Sequence, residues 1–167
     1  MWVWKFLGLI VLPLTLQTSV FPQVSYLGVV PNLVLLLTIC YGLLQGIKPG
    51  IYLGLLGGLC LDLAAGGILG LNILLLGLLG FAAGYLERVV FKGNILVPLL
   101  AVLAGTLFYE FFAYAVQSSF GWRMEFWSFF LTKVLPLCLY HLILAGPVYL
   151  GVNKALTLLR EKVKVGG

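Results

Sequence analysis

Residues 50–72 read GIYLGLLGGLCLDLAAGGILGLN, an apolar run stepped by glycine and carrying one acid, Asp62. A charged side chain at the centre of a bilayer costs roughly 2.5–3.5 kcal/mol on insertion scales, so an acid kept in such a run implies a partner or a function. Gly50, Gly54, Gly58 and Asp62 recur every four residues. On a helix that spacing makes one face, narrow enough for another helix to approach closely and ending in the carboxylate. The same small-residue spacing returns at Gly66/Gly70 and Gly80/Gly84.

The rest of the chain agrees with a membrane setting. Of 167 residues, 62% are hydrophobic and 9% are charged, against about 25% charged in soluble domains. The net charge of +5 comes from residues scattered at the ends of apolar segments. That pattern fits membrane orientation and not a nucleic-acid patch. Cys40, Cys60 and Cys138 lie inside apolar runs with no CxxC or Cys/His spacing. They read as packing residues, and no metal or cofactor is implied.

A spanning helix needs about 20 apolar residues. Six candidates emerge, at 2–20, 29–46, 51–65, 69–86, 95–116 and 127–157, so the expected fold is all-α, a single transmembrane domain of six helices over 1–167. The first has no A-x-A cleavage pattern and reads as a retained span. Pro31 is placed at the start of the second, Lys48-Pro49-Gly50 reads as a tight turn, and the third is short. The sixth, holding Pro136 and Pro147, is expected to kink. With both termini cytoplasmic, Lys5, Lys48, Arg88, Lys92, Lys154, Arg160, Lys162 and Lys164 fall inside and only Arg123 outside, as the positive-inside rule asks. Trp2 and Trp4 then sit at the inner interface, Trp122 and Trp127 at the outer one. The basic C-terminal tail reads as attracted to anionic lipid. The segment Ser119–Phe130 reads as interfacial, with a docking surface as the sharper alternative.

Four ionisable residues lie within spans: Asp62, Glu110, Lys133 and His141. At a rise of about 1.5 Å per residue, the first three fall within roughly 10 Å of the outer boundary, and His141 lies deeper. Lys133 is therefore expected to pair with Asp62 or Glu110, the other carboxylate staying protonated. Thr106, Glu110, Tyr114 and Gln117 form a polar stripe on the fifth span, and Asn72, Gly80 and Gly84 mark the fourth. His141 alone reads as a hydrogen-bonded packing residue. Together these residues suggest an outward-facing polar layer or pocket. No nucleophile with a base and no phosphate loop is present, so enzyme chemistry is not supported.

Several motifs resemble those of one family. Pro31-Asn32-Leu33 opens the second span, Lys48 follows it, a G-x-x-x-G-x-x-x-G-x-x-x-D span ends at Asp62, and Leu69–Asn72 and Gly84-Tyr85 bracket the fourth. This order resembles the rod shape-determining MreD family. Lys48 stands where many relatives carry arginine. The resemblance implies a non-enzymatic scaffold of the bacterial elongation machinery in the inner membrane. It would bind the single-span protein MreC and, through it, the MreB cytoskeleton, the RodA glycosyltransferase and its transpeptidase. It also implies a bundle similar to the S components of energy-coupling factor transporters. A vitamin-binding S component is accordingly the alternative function, although the first span lacks a small-residue face for docking an energising module.

Overall fold

The computed structural model describes residues 2–20, 23, 28–65, 68–89, 96–121 and 125–165. Lys92, Trp122 and Arg123 lie outside them, and the side chains of Trp2, Trp4, Lys5, Arg160, Lys162 and Lys164 are likewise not described, so the topology expectations resting on these residues fall there. Six helices follow in chain order. α1 spans Trp2–Thr15 and continues as a π turn over Leu16–Val20. α2 spans Leu33–Gln45, α3 Ile47–Ala65, α4 Leu71–Val89 and α5 Leu96–Ser119. α6 runs in three parts: Phe126–Phe129, a π turn over Phe130–Val134, and Leu135–Val165. No strand occurs among the described residues.

Large apolar side chains such as Leu63, Leu74, Phe111, Leu139 and Ile143 face outward, while Thr38, Asp62, Thr106, Glu110 and His141 are buried. Such an apolar exterior would be an aggregation liability in water and is what hydrocarbon accepts. Four of the helices, α3, α4, α5 and α6, are long and apolar enough to cross a membrane. This is a multi-pass membrane protein.

Two expectations about lengths change. The second span, expected over 29–46, becomes a helix of only 13 residues, Leu33–Gln45, about 20 Å long by helical rise. Pro31 precedes the helix because Asn32 is its N-cap, its side chain accepting from Leu35 N–H at 3.0 Å. The third span, expected to be short, has 19 residues. Lys48-Pro49-Gly50 is not a turn but the first turn of α3, where proline's missing N–H removes no helical bond. The chain reverses two residues before Lys48, at Gly46, whose φ of 90° suits glycine.

α2 is the hub. Every residue from Leu33 to Cys40 is buried, as expected of a helix apolar all round, and it packs against α3, α4, α5 and α6, with a lesser contact to α1. α3 and α4 form the most extensive pair. A methyl group at Gly54 would land on the Leu76 carbonyl, one at Gly58 on the backbone of Asn72 and Ile73, and one at Gly80 on the Gly50 carbonyl. The four-residue glycine step thus brings two backbones together along their length, with Gly84 against Ile47 at the far end. Gly42 of α2 joins the same seam: a methyl there would lie 3.1 Å from the Gly80 carbonyl.

Candidate functional site

α2 and α4 begin deep in the bundle, whereas α5 continues past them. Tyr109 of α5 bonds the first turn of α4, yet α5 runs ten residues further, to Ser119, about 15 Å by helical rise. α5, the start of α6 and the π extension of α1 therefore stand as walls around a recess whose floor is made of two helix N-termini. The recess is a cavity of about 760 Å³ lined by, among others, Gln17, Asn32, Asn72, Tyr109, Glu110, Gln117 and Lys133.

Helix N-termini present backbone N–H groups without partners in their own helix. At α2, three of these are bonded from three places. Leu33 N–H donates to Gln17 Oε1 at 3.0 Å, Leu35 N–H to Asn32 Oδ1, and Asn32 N–H to His141 Nε2 at 2.9 Å. A backbone N–H can only donate, so Nε2 carries a lone pair and the ring is neutral. The Thr106 hydroxyl donates to Val102 O at 2.7 Å, which leaves His141 Nδ1–H to donate to Thr106 Oγ1, also at 2.7 Å. His141 thus joins α2, α5 and α6 through its two ring nitrogens.

At α4, the partner is Asp62. Its Oδ2 accepts from Gly70 N–H at 3.0 Å and Ile73 N–H at 3.2 Å, and its Oδ1 from Asn72 N–H at 3.2 Å and Asn72 Nδ2 at 2.9 Å. Four donors thus converge on its two oxygens, and the side chain is bonded by the terminus of the next helix. Asn72 Oδ1 in turn accepts from the Tyr109 hydroxyl, tying α3, α4 and α5 into one network.

Lys133 pairs with Glu110: Nζ lies 3.0 Å from Oε2, with the Glu110 side chain 4% exposed and that of Lys133 44% exposed. Apart from this ion pair, Oε2 has no hydrogen-bond partner. The Lys133 ammonium also lies 5.1 Å from the centre of the Phe129 ring. Lys133 reaches this position from a π turn. Leu135 N–H bonds back to Phe130 O, five residues away, just ahead of Pro136, where the proline ring would otherwise strike the preceding helical carbonyl. Gln17 also sits in a π turn, following Pro13.

Of the residues singled out from the sequence, Asn72, Glu110 and Lys133 line the cavity, and Asp62 bonds Asn72 beside it. His141 lies behind Asn32. Tyr114 does not line the recess; it packs on the rings of Phe126 and Phe129, 5.6 and 4.8 Å between centroids. The sequence reading did not single out Tyr109, Gln17 or Asn32 as site residues. For Asn32 a signal existed: an asparagine directly before a long apolar run is an N-cap signature.

The family model for the rod shape-determining protein MreD matches residues 1–159 of this chain. The chain belongs to the MreD family. No curated protein and no solved structure matches it. Membership gives this MreD-family chain a role in rod shape determination, and the family is one of shape-determining proteins and not a known enzyme family.

Proposed function

We propose that the chain is a non-enzymatic scaffold of the bacterial cell-elongation machinery, seated in the cytoplasmic membrane and binding MreC. Through MreC it would couple the MreB cytoskeleton to RodA and its transpeptidase, and so bear on peptidoglycan synthesis. The observation that carries this reading is the family match across residues 1–159. The internal chemistry supports it. Asp62, Asn32, Thr106 and His141 hold helix ends and helix pairs together, which suits a rigid platform for another membrane protein.

We read both termini as cytoplasmic, with the cavity opening outward as in transporter S components. Lys48, Arg88 and Lys154 all lie toward the end of the bundle opposite the cavity, in keeping with the positive-inside rule. Mild solubilisation followed by affinity purification and mass spectrometry tests the reading. A single-span protein with a large extramembrane domain should co-purify. Stoichiometric recovery of a vitamin-sized molecule together with an ATPase module would instead make the chain a transport subunit.

A further inference from the structure

We propose that the recess is a binding site for a net-neutral, hydroxyl-rich small molecule carrying an apolar body. The inference rests on the cavity alone and is independent of which protein the scaffold holds.

The first observation is Glu110. It is buried, it lines the cavity, and its Oε2 accepts no hydrogen bond. A carboxylate oxygen has more than one acceptor site, so Oε2 keeps acceptor capacity beside its ion pair with Lys133. An ammonium has three donors, so Lys133, 3.0 Å away and 44% exposed, keeps donors beyond the ion pair. A hydroxyl group both donates and accepts. Two neighbouring hydroxyls can therefore satisfy Glu110 and Lys133 together without breaking the ion pair.

The second observation is the charge balance. Asp62 and Glu110 contribute two negative charges and Lys133 one positive. The N-termini of α2 and α4, which form the floor, contribute about half a positive charge each. The sum is close to zero. An anionic ligand would meet Glu110, with Asp62 close behind Asn72, and a cationic one would meet Lys133. A neutral ligand meets neither penalty.

The third observation is the composition of the lining. Tyr109 and Asn72 join the ion pair as polar groups, and Phe120 and Phe129 supply aromatic surface, with Phe129 next to the Lys133 ammonium. Few placed polar groups against an apolar wall, in a volume between about 300 and 1,000 Å³, are the usual makings of a small-molecule site. A sugar ring, with hydroxyls at its edge and C–H groups on its faces, has this complementary chemistry, whether free or as the headgroup of a lipid.

The test uses the full chain in phosphatidylcholine nanodiscs and radiolabelled octyl β-D-glucoside below its micelle concentration, with empty nanodiscs subtracted. Saturable binding at one per chain is expected. Glu110→Gln, which keeps shape but removes the charge, and Ala113→Leu, which fills the cavity without touching a polar group, should each weaken it roughly tenfold or more. Displacement by D-glucose supports the class and assigns a free sugar. Resistance to D-glucose with displacement by a second alkyl glycoside supports the class and assigns a lipid-borne headgroup. Absence of saturable binding, or equal displacement by octanol or octyl phosphocholine, overturns the proposal. None of these results bears on co-purification of a single-span partner, so the two readings fail separately.

Discussion

Asp62 accepts four hydrogen bonds and donates none, which makes its substitutions informative. Asp62→Ala strips the start of α4 of its partners and leaves Asn72 half bonded; we expect a loss of about 2–4 kcal/mol, from cap and charged hydrogen-bond magnitudes. Asp62→Asn should also destabilise, by a smaller amount, because an amide must turn its own N–H₂ toward groups that only donate. Unfolding in detergent followed by circular dichroism measures both, and an unchanged midpoint for Asp62→Asn would rule out the bonding described. For Glu110 and Lys133 the expectation is non-additive. Lys133→Met should destabilise by about 1–3 kcal/mol, at the low end of values for broken buried pairs because the lysine is partly solvated. Adding Glu110→Gln should recover part of that loss. With Glu110→Gln measured alone, a double-variant loss equal to the sum of the two single losses would show that the pair carries no coupling. From the sequence, the layer of ionisable residues could be located by counting helical rise. The choice of partner could not, because it depends on the π turn that rotates Lys133 within its helix.

At the scale of the elements, the pairing of α3 with α4 is the feature the glycine spacing made legible. Position after position it puts backbone against backbone, and only the absence of a side chain permits this. Gly54→Ala or Gly80→Ala should therefore cost about 2 kcal/mol or more through overpacking. Gly146→Ala and Gly151→Ala, where a methyl meets open space, should be neutral or raise stability by up to about 1 kcal/mol through helix propensity. Comparing the four by thermal unfolding separates packing from propensity; uniform behaviour would dissolve the distinction. The boundaries were less legible. Pro49 and Gly50 carry turn signals, yet they begin a helix, since Gly46 already provides the reversal. Pro31 looked like a helix start, but Asn32, held by its own cap and by His141, sets the helix two residues later.

For the whole molecule, the unequal helix lengths matter more than their number. Six apolar segments could be read from the sequence. That one of them, α2, falls short of a membrane's thickness could not, because hydropathy reports what a segment tolerates and not where its first hydrogen bond forms. The result is a bundle hollowed from one end. A single-cysteine scan on a background lacking Cys40, Cys60 and Cys138 should show this directly. Lys133→Cys should react with a membrane-impermeant thiol reagent from one side of the membrane only. Val34→Cys, on the wholly buried face of α2, should be silent from both, and reaction of the two at equal rates would mean that no recess exists. A recess of this kind, when water fills it, has an electrical consequence. It carries the potential of the compartment it opens to down to its floor, so a transmembrane voltage drops across the remaining protein, about 20 Å for the length of α2, and not across the whole bilayer. The field there is steeper by about half than in a flat slab about 30 Å thick. Glu110 and Lys133 lie on its edge as a pair of zero net charge, and the voltage therefore does little work on them.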